Sequence, residues 1–296
     1  VQPGPCGEEQ RWLARPDGVR IAYRRTAARE SGGRSPVVLL HGLASNLTRW
    51  SEFVERTSLT GERDVIRVDL RGHGDSPTRG PVSLERWRDD LLALLDAEGA
   101  AAAILVGHSL GSQVALACAA RAPRRVAALV LIDPVFRAAL HGRWKWLARA
   151  APLFATAAAI VRGLNALGLR RRQVPPLDLR ALDQLARASL GSPQAEAEFI
   201  RRYSSTRADL RTFRTAHYLR ELVEMFRPVA APESFAAPVL VLLSTGATFA
   251  ALPQMQAIAA RFPQGEVRTI ECHHWPLTER PDEVRGLIEA WCTDQP

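Results

Sequence analysis

Ser109 and the histidine pair His273-His274 are the residues whose types and surroundings could carry nucleophilic chemistry. Ser109 lies in Gly107-His108-Ser109-Leu110-Gly111, after the apolar run 102–106 and before a helix-like stretch at 112–118. A G-x-S-x-G turn between strand and helix exposes the serine hydroxyl at the strand tip, above the free N–H groups of the helix N-terminus. The bland alternative is a glycine-rich turn with no chemistry; the strand before it and the helix after it weigh against that. An imidazole brought to Ser109 could take the hydroxyl proton as an acyl carbonyl is attacked. His41-Gly42-Leu43 ends another apolar strand, so the Leu43 N–H can join the Leu110 N–H as an oxyanion donor. The serine comes first and the histidines last, unlike the chain order of chymotrypsin or subtilisin.

Positioning such groups requires alternating strands and helices. Residues 11–15 and 19–26 flank Pro16-Asp17-Gly18 and read as an antiparallel hairpin. Strands are then expected at 37–41, 65–69, 102–107 and 126–132, with helices near 48–57, 84–97 and 110–121. A strand at 238–244, a helix at 252–262, a strand at 266–271 and a helix at 278–292 follow. Near-continuous apolar strands alternating with helices imply a parallel sheet covered on both faces. Between Asp133 and Pro238 the rhythm stops. That stretch is rich in Ala, Arg and Leu, is broken at Pro152, Pro175-Pro176, Pro193 and Pro228, and reads as several helices.

The motifs HGL at 41–43, DLRGHGDS at 69–76, GHSLG at 107–111, LIDP at 131–134 and HHWP at 273–276 together resemble the α/β-hydrolase superfamily. The likeness is to its cap-bearing branch of serine esterases, lipases and C–C bond hydrolases, and it covers residues from about 11 to 292 apart from the middle insertion. It implies a mostly parallel eight-stranded sheet with helices on both faces and a helical cap after strand 6. The core would comprise residues 1–134 and 237–296, the cap 135–236. Ser109 would be the nucleophile. His274, two residues before Pro276, would be the base, with His273 turned away. The Ser at the turn excludes relatives that need an Asp nucleophile.

The acid departs from the family pattern. Most members carry it in G-x-x-D after the seventh strand, where this chain has Phe249, and no Asp or Glu occurs from Val239 to Gln264. Asp133, at the end of the sixth strand, is the leading substitute, because the family's sheet order sets that strand between the serine strand and the seventh. Its alternative is a turn residue before Pro134. Thr248, a cap carboxylate or a backbone carbonyl are other candidate partners for the imidazole.

Composition narrows the class. The chain has 296 residues, 47% hydrophobic and 24% charged, as in ordinary globular proteins. Its net charge of +8 is carried by arginine, Lys145 being the sole lysine. No nucleic-acid motif accompanies these arginines, so no nucleic-acid partner is expected. Cys6, Cys118, Cys272 and Cys292 lack metal spacing. Neither metal nor cofactor is expected; the thiols read as free, a 272–292 bridge being the alternative. Arg143-Trp144-Lys145-Trp146-Leu147 beside the apolar run 152–169 admits a lipid-facing lid. A cap helix facing the core is the expected form. Arg162, Gly163 and Asn165 interrupt the run, which argues against a spanning helix.

The expected function is cofactor-independent hydrolysis of a small-molecule carboxylic ester. C–C bond hydrolysis, thioester cleavage or lyase chemistry on the same scaffold are alternatives. A noncatalytic ligand-binding member, suggested by the missing acid, is another. A cytoplasmic location is expected, with a cleaved secretion signal as the alternative.

Overall fold

The computed structural model describes residues 7–30, 33–171, 174–189, 193–246 and 249–296. Its strands are β1 (Glu8–Ala14), β2 (Arg20–Thr26), β3 (Val37–Leu40), β4 (Val65–Val68), β5 (Ala103–His108), β6 (Val126–Ile132), β7 (Val239–Ser244) and β8 (Gly265–Ile270). They form one sheet in the order β1-β2-β4-β3-β5-β6-β7-β8. The hairpin β1-β2 and the β2-β4 pair are antiparallel, and the remaining neighbours are parallel. This is the mostly parallel eight-stranded sheet expected. Strands β3, β4, β5 and β7 are buried along their whole length, as their largely apolar runs lead one to expect.

The period-2 alternation of strands divides the core into two layers. Val38, Leu40 and Leu105 face one, with Trp87 and Leu116. Val37, Leu39 and Val106 face the other, with Trp50 and Ile288. The covering helices are α1 (Ser51–Arg56), α2 (Leu84–Ala97), α3 (Leu110–Arg121), α10 (Leu252–Ala259), α11 (Pro276–Glu279) and α12 (Pro281–Thr293). Ser83 caps α2 by accepting from the Arg86 N–H. Two expected helices are interrupted. The first opens as a 3₁₀ turn at Leu47–Trp50 before α1, and the last divides between α11 and α12. Pro281 lacks the N–H that a continuous helix would use.

The segment between β6 and β7 carries α4 (Gly142–Arg149), α5 (Ala151–Ala166), α6 (Leu179–Ser189), α7 (Pro193–Tyr203), α8 (Thr206–Thr212) and α9 (Thr215–Met225). Helix α5 packs along α9, and α6 packs against α11 and the 3₁₀ turn. A buried Arg49–Asp183 pair at 2.5 Å and an Arg187–Glu52 pair at 2.6 Å tie α6 to the core. The inward-facing character expected of the apolar run is only partly met. In α5 only Ala158 is buried, while Leu153, Ile160 and Leu164 stand exposed. Cys118, Cys272 and Cys292 are free and buried, so the 272–292 bridge is not formed. Cys6 and Thr248 lie outside the described residues.

Candidate active site

The turn at Ser109 is set by two glycines. A Cβ on Gly107 would lie 2.4 Å from the Gly111 carbonyl carbon, and one on Gly111 would lie 2.3 Å from the Leu40 oxygen. Backbone atoms cannot yield there, so the turn admits no larger residue. Ser109 itself has φ 52° and ψ −111°, a strained conformation for an L-residue. Ser112 Oγ donates to the Gly107 carbonyl at 2.7 Å and closes the turn. The strain holds the Ser109 hydroxyl above the first turn of α3.

His274, in the loop between β8 and α11, brings Nε2 to 3.2 Å from Ser109 Oγ. Its Nδ1 stands 3.2 Å from Asp133 Oδ2. Asp133 directly follows β6 with φ 44° and is buried. Its Oδ1 accepts the Ser244 N–H at 2.7 Å, and its Oδ2 accepts the Ser244 hydroxyl at 2.6 Å. Three donors therefore converge on one carboxylate. An Nδ1–H given to Asp133 leaves Nε2 as acceptor for the Ser109 hydroxyl, the tautomer that proton removal needs.

Phe249, standing where the family's acid belongs, packs its ring edge-on against His274 at 4.5 Å. His108 Nε2 lies 3.0 Å from the His274 carbonyl oxygen and steadies that loop. Burial, together with the neighbouring His274, pushes His108 down to about 3, so it stays neutral and can donate there. His273 turns away: its Nδ1 is 2.9 Å from Glu279 Oε2, and Glu279 also accepts its backbone N–H. Glu196, in the segment between β6 and β7, approaches His273 at 3.8 Å, not His274.

The strand-end loops shape the remaining wall. His41 Nε2 accepts the Leu70 N–H at 3.1 Å, while Nδ1 lies 2.9 Å from the Gly42 oxygen. Burial holds His41 well below its ordinary pKa, and His73 adds to the effect. Among the described residues, the Leu43 and Leu110 N–H groups have no acceptor. Asp69 accepts the Leu47 and Asp75 N–H groups at 2.7 and 2.8 Å and ties the 69–76 loop to the 3₁₀ turn. Gly74 is required there, since its Cβ would meet Asp69 Oδ2 at 2.2 Å.

Sequence reading missed two contributors. Ser244 holds Asp133 from the end of β7, and a serine at a strand end carries no signal of that role. Glu221 is the other: it forms an ion pair at 3.1 Å with His73, a loop histidine of the 69–76 motif, and both side chains are fully buried. Glu221 Oε2 also accepts the Ala44 N–H at 3.4 Å, beside Leu43 and at a residue with φ 49°. Helix α9 is thereby joined to the loop carrying the Leu43 N–H. Burial works against both charges, yet the mutual attraction prevails: His73 is raised above 6.5 and Glu221 lowered below 4.5.

Linkage gives a testable consequence. The contribution of His73 is present below pH 6.5 and is lost as pH rises through its raised pKa; that of Glu221 is present above pH 4.5 and is lost as pH falls through its lowered one. Glu221→Gln should therefore destabilise the protein most between pH 4.5 and 6.5, by about 3 kcal/mol in urea unfolding. A deficit of constant size from pH 4 to 9 would mean that the two groups do not ion-pair.

Comparison with known proteins places this arrangement. The model of the α/β hydrolase family matches residues 37–287. The chain belongs to that family. It is 27% identical over 271 residues to the mouse sn-1-specific diacylglycerol lipase ABHD11, covering 86% of this chain and 80% of the relative. It is 33% identical over 115 residues to esterase YbfF of Escherichia coli, covering 39% and 44% respectively. Among solved structures, a hydrolase from Pseudomonas aeruginosa PA01 superposes with TM-score 0.68 at 25% identity, covering 96% of this chain and 98% of that one. A thermophilic esterase from Thermogutta terrifontis shares the fold with TM-score 0.67 at 23% identity, covering 96% and 98%. The chain is thus a hydrolase by family, and esterases and lipases are among its relatives.

Proposed function

We propose that this hydrolase cleaves small-molecule carboxylic esters through an acyl-enzyme on Ser109, without a cofactor. The observation that carries the reading is the continuous chain Ser109–His274–Asp133, with both links at 3.2 Å. Its requirements are geometric before they are electronic, and apo distances of this length tighten when substrate binds. The fixed N–H groups of Leu43 and Leu110 support the same reading.

In this mechanism Ser109 Oγ attacks the ester carbonyl carbon as its proton passes to His274 Nε2. The carbonyl π electrons move to oxygen, and the anion is met by the Leu43 and Leu110 N–H groups. Collapse expels the alcohol, which takes the proton back from Nε2. Water then attacks the acyl-enzyme, giving its proton to the same nitrogen, and Ser109 regains a proton as the acid leaves. Asp133 remains ionised throughout, holding Nδ1–H and stabilising the imidazolium. The Phe249 ring contributes an apolar wall that limits water at the imidazole.

Rapid mixing with a p-nitrophenyl ester tests the reading. A burst of about one p-nitrophenol per chain, followed by slower turnover, is expected when deacylation limits. Saturable binding of esters with no cleavage would overturn it in favour of a ligand-binding member.

A further inference from the structure

The positive charge of this protein is segregated. The whole chain has 39 cations and 31 acids, yet no Asp or Glu lies between Asp133 and Asp178, where eight cations occur. The remaining sequence then holds 31 of each, so the entire net charge resides in that span, which carries α4 and α5. The same span exposes apolar surface. Among the described residues, eight large apolar side chains are exposed, and six lie between Trp146 and Leu169. Trp146 is 69% exposed, Leu153 72% and Leu167 80%. Single exposed leucines are ordinary, but a run of them on consecutive helical turns, flanked by cations only, needs an account.

Helix α4 is anchored from within: Ala148 is buried, and Trp144 and Leu147 pack on the core. Its outer surface presents Trp146 with the Arg149 guanidinium over the ring at 5.1 Å. Helix α5 rests on α9 and turns Leu153, Ile160 and Leu164 outward. Beside its C-terminal turns lies a cavity of about 190 Å³ whose lining includes six arginines and no carboxylate. Among the described residues, Arg79, Arg162, Arg170 and Arg214 have no ion-pair or hydrogen-bond partner for their guanidinium groups. Burial lowers the pKa of Arg214, and Arg79 and Arg170 push it further down, as expected where no counter-charge is present.

We infer that the outer face of α4–α5, with the adjoining arginine-lined cavity, docks on the surface of an anionic phospholipid bilayer. The apolar side chains enter the acyl boundary while the arginines meet lipid phosphates, the division seen in interfacial helices. The helices lie on the membrane and do not cross it. No single described helix is long and apolar enough to span; α4 and α5 reach that length and composition only together, and a 57° bend divides them. At 1.5 Å per residue, its 16 residues reach about 24 Å, short of the ~30 Å hydrocarbon core. Charge complementarity selects an anionic bilayer over a second copy of this chain, which would oppose like charges across the contact.

Sedimentation of the full chain with vesicles tests this independently of the ester-hydrolase reading, because binding is measured on Ser109→Ala protein. Vesicles of phosphatidylcholine with about 30 mol% phosphatidylglycerol should bind it at least tenfold more tightly than phosphatidylcholine alone. Raising salt from about 0.05 to about 0.5 M should weaken binding severalfold. Arg143→Gln, Arg149→Gln and Arg162→Gln should each cost about fivefold in apparent affinity. The combined Leu153→Ser, Ile160→Ser and Leu164→Ser variant should lose at least tenfold. Built on the active chain, these surface variants should hydrolyse a soluble acetate ester at the parental rate. Equal binding to neutral vesicles, or none to anionic ones, overturns the inference. Displacement by about 10 mM inorganic phosphate at constant ionic strength also overturns it, since the cavity would then be a soluble-anion site. A concentration-dependent doubling of mass that the serine variant abolishes overturns it too, assigning the face to a second copy.

Discussion

Ser109→Ala is expected to lower p-nitrophenyl ester turnover by about 10⁶-fold while leaving the fold intact. The loss is this large because the serine and the imidazole act as a unit, so that removing one disables the other. Among the described residues the hydroxyl has a single partner, His274 Nε2, so its deletion should change stability by no more than about 1 kcal/mol. His274→Ala should fall to a comparable level. His273→Ala should lose less than about tenfold, because its ring serves Glu279 and the loop around it. Steady-state kinetics on the three variants, each checked by thermal unfolding, gives the ranking. Turnover by Ser109→Ala within about tenfold of the parent would remove the nucleophile from the account.

Asp133→Asn carries the second largest effect. The amide keeps the carboxylate's shape but offers a donor where Nδ1–H needs an acceptor, which disfavours the tautomer that can receive the serine proton. In serine proteases that exchange costs about 10⁴-fold, equivalent to about 5 kcal/mol of barrier. The Ser244 N–H can still donate to the amide oxygen, so the end of β7 should stay in place. Turnover should therefore fall far more than stability does. If Asp133 only braces β7, loss of activity would stay below about tenfold and would follow the unfolding midpoint. Ser244→Ala separates the roles further: it removes one donor from the carboxylate and should cost turnover only modestly, about tenfold or less.

The sheet was legible because its determinants are local. Runs such as 37–40 and 239–243 are apolar at every position, which only a strand covered on both faces tolerates. The turn at Ser109 was equally local, two glycines on either side of one strained residue. The relation between Asp133 and His274 was of another kind, since 141 residues separate them. It could be argued only through sheet order, with β6 lying between β5 and β7. Ser244 and the Glu221–His73 pair left no such trace. Glu221 reads as a solvated residue of an amphipathic helix, and only the packing of α9 onto the 41–44 loop buries it opposite an imidazole. The outward face of α5 was misread for the converse reason. Its apolar periodicity suggests a core, but periodicity records which residues share a face, not whether protein covers that face.

Peptide mapping after treatment with a fluorophosphonate is the most direct test that this hydrolase acts through Ser109. The serine oxygen bonds to phosphorus and expels fluoride, a step that needs only an activated serine, so the outcome does not depend on knowing the substrate. One adduct per chain is predicted, on the peptide carrying Gly107-His108-Ser109-Leu110-Gly111, absent in Ser109→Ala and strongly slowed in His274→Ala. An unmodified Ser109, or an adduct on another residue that survives Ser109→Ala, would contradict the account.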